Sequence, residues 1–219
     1  MDYKQVSDIF SFQNKQLSEK EFLLLEKYEQ LLKSKNEQVN LISRKDILNI
    51  WENHILHSLT IHFLGDIPNH SLILDLGTGG GLPGIPLAIS LPNCKLILLD
   101  SIQKKITTVR TIVRELSLSN IQIFCERAES FGENQLFAHK FDFIVTRAVT
   151  ELRELIKWSS LLLKKNGVLY ALKGGDITNE IFQARKIQTV KSLNSIDLKL
   201  QGLEYLEKAE KKLVIVRFI

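Results

Sequence analysis

The chain has 219 residues, a formal net charge of +4 and 44% hydrophobic residues. That is enough for one domain with a buried core, in an ordinary soluble composition. No apolar run approaches the roughly 20 residues that cross a bilayer. The opening "MDYKQVSDIF" lacks the basic start and apolar centre of a signal peptide, and Cys94 and Cys125 are too few for a disulfide framework or a thiolate metal cluster. The expectation is a cytoplasmic protein with reduced thiols and no membrane or metal partner.

In chain order, residues 1–66 read as a helical extension. Ser18 and Glu21 form an S-x-x-E capping box, with Leu17 and Phe22 placed for a hydrophobic staple. Leu24, Tyr28, Leu31 and Leu32 follow at helical spacing. After the polar break "KSKNEQVN", the residues Ile47, Trp51, Ile55, Leu59 and Phe63 recur every fourth position, which predicts a second helix with a core stripe. From Ser71 the rhythm changes. "LILDLG", "KLILLD", "IQIFC", "FDFIVTR" and "VLYALKG" are short apolar runs suited to buried strands, separated by helical stretches at 104–116 and 152–163. Such alternation implies βαβ units and a parallel sheet covered on both faces, so 67–219 is expected to be a Rossmann-like α/β domain. "KKNG" at 164–167 is a helix stop with Gly167 at the left-handed cap. "LVIVRFI" lacks a long preceding helix and is expected to pair antiparallel. From Arg185 onward eight Lys and Arg face four Asp and Glu, whereas the first 184 residues balance at 21 each. A basic C-terminal region is a candidate phosphate contact.

The most informative stretch is "LDLGTGGGLPGIP", residues 74–86, with five glycines and two prolines in thirteen positions. It lies at the carboxyl end of the first strand, where open α/β sheets bind ligands. Gly77, Gly79 and Gly81 allow positive φ and leave no Cβ on the loop's inner wall. Gly79, Gly81 and Gly84 spell the dinucleotide fingerprint G-x-G-x-x-G. Asp75, Gly77, Gly79 and Gly81 also spell D-x-G-x-G-x-G, resembling the first motif of class I S-adenosylmethionine methyltransferases. The carboxylate of Asp75 favours the second reading, since it can meet an amino-acid ammonium and would repel a pyrophosphate. Asp100, at the end of the second strand, is placed to accept ribose hydroxyls in either class.

Seven further segments stand in order: "NLIS" (40–43), "HILHSL" (54–59), "GTGGGLPGIPLAI" (77–89), "LLDSIQKK" (98–105), "RAESF" (127–131), "TRA" (146–148) and "YALKG" (170–174). Together they resemble the bacterial small-subunit ribosomal RNA guanine-N7 methyltransferases, the RsmG or GidB family, from about residue 36 to the end. The resemblance implies a class I methyltransferase fold, S-adenosylmethionine as cofactor, and 16S ribosomal RNA, the small subunit or an assembly intermediate as partner of a monomeric enzyme. It implies that Gly77, Gly79 and Leu82 hold the cofactor, Asp100 its ribose, Ala128 and Glu129 its adenine, and Arg147 its methionine moiety. Arg147 and Lys173 would be the catalytic cations. Asn40, His54, Arg127, Lys173 and Lys211 would meet substrate. The chain departs from the family pattern at His57, usually acidic, and at Lys211, usually Arg, which loses the guanidinium's two-point grip on phosphate.

Guanine N7 carries a lone pair and no proton, so its methylation requires alignment rather than a general base. Three functional readings stand at this stage: the methyltransferase, an RNA- or ribosome-binding protein on a methyltransferase fold, and an NAD-linked oxidoreductase. His54 and His57 lie at i, i+3 without a third ligand at metal spacing, and Lys104, Lys105, Arg110 and Arg114 form either an RNA-facing strip or a solvated helix face.

Overall fold

The computed structural model describes residues 1–147 and 149–219; Ala148, the last residue of the T-R-A motif, lies outside the described residues. Asp2 caps α1 (Tyr3–Phe12) through a capping box with Gln5, and Ser18 caps α2 (Glu19–Asn36) through one with Glu21. Leu17 and Phe22 are both buried, as the staple requires. Trp51, Ile55, Leu59 and Phe63 are also buried, but they do not lie on one α-helix. Arg44–Asn49 is a 3-10 helix, Trp51–Leu56 is π-helical, and only α3 (His57–Leu64) is regular. An apolar spacing of four is compatible with this mixture, so the periodicity located the buried face without fixing the winding.

The remaining elements are β1 (Leu72–Leu76), α4 (Gly84–Ser90), β2 (Lys95–Asp100), α5 (Gln103–Glu115), β3 (Ile121–Cys125), α6 (Ala128–Glu133) and β4 (Phe141–Arg147). They continue with α7 (Leu152–Leu162), β5 (Leu163–Gly174), α8 (Thr178–Ala184), β6 (Val190–Asp197), α9 (Glu204–Lys208) and β7 (Lys211–Phe218). The sheet has seven strands in the order β3-β2-β1-β4-β5-β7-β6. Strands β1 to β5 are parallel, and β7 runs antiparallel to both β5 and β6. The winding reverses between β1 and β4, which opens a crevice at their carboxyl ends.

Alternation along β1 shows the two-sided cover. Ile73 faces a cluster shared with α1, α2, α3, α4 and α5, whereas Leu74 and Leu76 face one built on α6, α7 and α8. The core of residues 1–66 is therefore continuous with that of the sheet.

Two features differ from the sequence reading. Strand β6 was not anticipated; of its eight residues only Leu193 is buried, because an edge strand has little apolar alternation to display. At "KKNG" it is Asn166, not Gly167, that takes positive φ, at 67°. Gly167 lies within β5, where an added Cβ would sit 2.9 Å from Leu163 Cδ2 and 3.0 Å from the Lys164 carbonyl. That glycine serves close packing rather than a left-handed cap.

Candidate active site

The chain leaves β1 through residues 77–83, and the Gly77 and Thr78 N–H groups both donate to the Leu99 carbonyl at the end of β2, at 2.8 and 2.9 Å. Asp75 is buried behind this loop. Its Oδ2 accepts from the Thr78 hydroxyl at 2.5 Å and from the Gly84 N–H at 2.8 Å. Burial pushes its carboxyl up to about 7, while those two hydrogen bonds pull it down. Asp75 is absent from the cavity wall and braces the loop from within through Oδ2; its Oδ1 is buried with no hydrogen-bond partner among the described residues. A Cβ at Gly84 would lie 2.5 Å from Asp75 Oδ2, so this glycine allows helix and strand to touch.

That arrangement separates the two cofactor classes. A dinucleotide site offers the N-terminal amides of the first helix to a pyrophosphate. Here the Gly84 N–H is already held by a carboxylate. The literal G-x-G-x-x-G therefore has no dinucleotide geometry behind it.

Gly79 is the residue that opens the site. Its φ is +56°, and an added Cβ would meet nothing within 4 Å, so the loop turns a bare backbone toward space. Its N–H donates to Asp100 Oδ2 at 2.9 Å, and Asp100 Oδ1 accepts from the Ile102 N–H at 2.9 Å. Both carboxylate oxygens are thus oriented by main chain and retain lone pairs for hydroxyls. They lie on a cavity of about 440 Å³, whose walls include Gly77, Gly79, Leu82, Asp100, Arg127, Ala128, Glu129 and Arg147. The volume is that of a small-molecule site. Ile102, Ala128 and Trp158 supply apolar wall for a planar ring, and the Trp158 indole N–H is buried without a partner among the described residues. These groups fit an adenosine-bearing sulfonium: bare loop, paired acceptor and apolar slot.

Several residues of the site escaped the sequence reading. Tyr28 on α2 is fully buried, and its hydroxyl donates to the Gly80 carbonyl at 2.9 Å. Leu41 lines the cavity and lies 3.1 Å from where a Gly80 Cβ would stand. The N-terminal helices therefore hold the glycine loop from the side opposite β1. A stripe of aromatic and aliphatic residues signals only core, and nothing in its spacing pointed to the loop.

Arg147 ends β4 at the cavity and donates from Nη1 to the Asn53 carbonyl at 3.1 Å. Two histidines that feel its charge are held neutral. Burial, reinforced by the Arg147 charge, lowers His54 to about 4 and His57 to about 3. The His54 Nε2 lies 3.6 Å from Asp46 Oδ2, and neither of its ring nitrogens has a hydrogen-bond partner among the described residues.

The other expected site residues are spread out. Arg127 stands exposed at the cavity mouth, and Asn40 lines a neighbouring hollow that shares Leu41 with the cavity. Lys211 pairs with Gly174 across β5 and β7. His54 is buried rather than presented at the surface. Lys173 does not line the cavity: its Nζ donates to the Thr150 carbonyl and to Glu180 Oε1, both at 2.6 Å. Glu180 also accepts from the Leu152 N–H. Lys173 therefore fastens the segment after β4 rather than facing the cavity. Of the α5 cations, Lys105 reaches the cavity wall and Arg110 donates to the Ile123 carbonyl at 3.3 Å.

The doubly wound sheet, the glycine loop braced by Asp75 and the carboxylate ending β2 define a class I methyltransferase domain. Among solved structures the chain resembles a tRNA (m1A58) methyltransferase from Aquifex aeolicus, with a TM-score of 0.56 and 13% identity over 74% of this chain and 68% of that one. It also resembles a predicted O-methyltransferase from Agrobacterium tumefaciens, with a TM-score of 0.58 and 19% identity over 75% and 79% of the two chains. The family described as rRNA small subunit methyltransferase G matches residues 22–212, and the chain belongs to that family, GidB. Relatives named ribosomal RNA small subunit methyltransferase G include those of Chlorobaculum tepidum, 43% identical over 74% of this chain and 72% of the relative. Another, from Porphyromonas gingivalis, is 44% identical over 68% of each chain. Among the described residues no helix is long and apolar enough to cross a membrane.

Proposed function

We propose that this chain transfers a methyl group from S-adenosylmethionine to N7 of a guanine in 16S ribosomal RNA, acting as a cytoplasmic monomer on the small subunit or its precursor. The observation that carries the reading is one cavity in which the bare Gly79 backbone, the Asp100 carboxylate and the Arg147 guanidinium meet, in a chain whose family is named for this substrate. When bound, S-adenosylmethionine supplies an electrophilic methyl group on a sulfonium.

The protein's task is placement. Gly77, Gly79 and Leu82 give backbone and apolar contact, Asp100 accepts the ribose hydroxyls, and Ala128 and Glu129 border the adenine slot. Because N7 already carries a free lone pair, no side chain has to remove a proton, and the burial that lowers His54 and His57 leaves both as weak bases. Holding nucleophile and electrophile in line is worth up to roughly 7–11 kcal/mol in favourable systems. Arg147 is the cation of the wall. A positive charge beside N7 would oppose the charge developing there, so Arg147 is assigned to the base's O6 or an adjoining phosphate. Arg127 at the mouth, with Asn40 and Lys211, is assigned to the RNA. Lys173 is assigned to positioning, through the segment that it ties to Glu180.

Calorimetry of the purified chain against S-adenosylmethionine, S-adenosylhomocysteine and NAD tests the cofactor. Mapping of N7-methylguanine in ribosomal RNA incubated with the chain tests the reaction. Binding of the first two ligands with a new N7-methylguanine supports the reading. NAD binding, or RNA binding without methylation, would replace it by one of the two alternatives.

A further inference from the structure

We propose that the turn formed by residues 40–49 is the surface on which the RNA docks beside the cavity, with Arg44 and Lys45 on backbone phosphates and Leu48 against an unstacked base. This rests on the assignment of RNA as substrate and names the face that meets it.

The turn is fixed to the active site at both ends. Near its start, the Asn36 side-chain oxygen accepts from the Leu41 and Ile42 N–H groups at 2.8 and 2.9 Å. Leu41 then lies on the cavity wall. Further along, Asp46 Oδ1 accepts from the Asn53 side-chain amide at 3.0 Å, and the Asn53 carbonyl holds Arg147. Between these anchors Ile42 is buried in the core, while Ser43, Arg44 and Lys45 face outward. Arg44 and Lys45 are exposed, and neither has an ion-pair partner among the described residues. Leu48 is 87% exposed, more than any other large hydrophobic residue described. In a 3-10 helix, residues i and i+3 eclipse, so Lys45 and Leu48 project from one edge.

The combination selects a partner. Two cations without an ion-pair partner among the described residues, preceding a protruding aliphatic side chain, match a single strand, whose phosphates take the charge and whose splayed bases offer flat apolar faces. The acidic neighbour, Asp46, is engaged by the Asn53 amide and lies 3.6 Å from His54 Nε2. A base bound at Leu48 would belong to a nucleotide flanking the one whose N7 enters the cavity, since Leu41 and Arg147 fix the turn at the cavity's edge.

The test compares the wild type with Leu48→Ala and with the double variant Arg44→Gln/Lys45→Gln, each checked by circular dichroism. Binding to deproteinised 16S ribosomal RNA is measured between about 50 and 200 mM salt, with S-adenosylmethionine affinity measured separately by calorimetry. The double variant is expected to bind RNA about tenfold more weakly at low salt, and its log K against log salt slope to flatten by about 1.4, the share of two single-strand phosphate contacts. Leu48→Ala is expected to weaken binding about fivefold, no more than the lower end of what an aromatic stacking partner contributes, with the slope unchanged. Cofactor affinity is expected to stay at the wild-type value in both. Wild-type RNA affinity in both variants overturns the proposal. So does a loss seen only with assembled subunits and not with naked RNA, which would assign the turn to a ribosomal protein. The binding assay is independent of turnover, so a wild type that bound RNA without methylating it would sink the functional reading and leave the docking result legible.

Discussion

The Arg147 guanidinium donates to the main-chain carbonyl of Asn53 at 3.1 Å, across 94 residues of chain. That carbonyl belongs to the π-helical segment Trp51–Leu56, a winding that recurs at functional sites. Asn53 is itself fixed by Asp46, so the cation's position depends on a short chain of contacts from a surface turn. Burial holds the Arg147 pKa below the ordinary guanidinium value, while Tyr28, Asp75 and Asp46 favour its charged form.

If this contact orients the catalytic cation, Arg147→Ala should lower turnover on RNA by about 100-fold, the scale for losing one preorganised electrostatic group. Asp46→Ala should lower kcat by a smaller factor while leaving the Kd for S-adenosylmethionine unchanged, with Asp46→Glu restoring part of the rate. Single-turnover methylation alongside calorimetry makes the comparison. Equal losses in kcat and cofactor affinity for Asp46→Ala would mean that the contact only supports the fold.

Asp75 is assigned to bracing the loop, and this separates from a ligand-binding role by the choice of substitution. Asp75→Asn keeps an acceptor for Thr78 and Gly84, so cofactor affinity should stay within about threefold of wild type. Asp75→Ala removes the acceptor for two buried donors and should destabilise by about 1–3 kcal/mol for each donor left unpaired, with cofactor binding lost. A large affinity loss in the Asn variant at unchanged stability would return Asp75 to the ligand's ammonium group.

Lys173 and Glu180 form a largely buried ion pair that also gathers Thr150 and Leu152. The segment it fastens carries Val149, which packs where a Gly77 Cβ would stand. In a double-mutant cycle with Lys173→Met and Glu180→Gln, the pair should show a coupling energy of about 0.5–3 kcal/mol in stability. Turnover should fall similarly in either single variant. If Lys173→Met alone abolished turnover while Glu180→Gln was silent, Lys173 would act on substrate directly.

Much of this site was legible because glycine and proline at a strand end have few physical explanations, and "LDLGTGGGLPGIP" compresses several of them. Gly77, Gly79, Leu82, Asp100, Arg127, Ala128, Glu129 and Arg147 share one cavity; strand-end placement pointed to Gly77, Gly79, Asp100 and Arg147, and the family resemblance to the rest. What stayed hidden was partnership. The polar residue Asp75 was visible, but whether it faced ligand or its own loop depended on Thr78 and Gly84 closing over it. Lys173 looked like a free strand-end charge until Glu180, on a helix seven positions later in the chain, came within hydrogen-bond distance. Tyr28 was indistinguishable from its apolar neighbours, because a hydroxyl that bonds to a loop carbonyl leaves no periodic mark.

Two buried histidines and the half-buried His62 give a pH dependence whose sign follows from their environment. Burial lowers His54, His57 and His62 from 6.5 to about 4, 3 and 4. Above pH 6.5 these imidazoles are neutral in folded and unfolded chain alike, and their full contribution to stability is present. Below it the unfolded chain takes up protons that the folded chain refuses, so stability is lost progressively toward pH 4 and 3. Asp75 acts in the opposite sense. Burial raises it from 3.8 to about 7, so its contribution is complete below its ordinary value and fades as pH rises through 7. Three groups against one make the histidines dominate over the acidic range. Urea midpoints should therefore rise from roughly pH 4.5 to 6.5 and level off near neutrality. His57→Gln, which removes the most strongly shifted of the three, should make that rise shallower even if it lowers stability at every pH. An unchanged slope in the variant would mean that His57 already carries its proton in the folded chain and that Arg147 shares its pocket with a second cation.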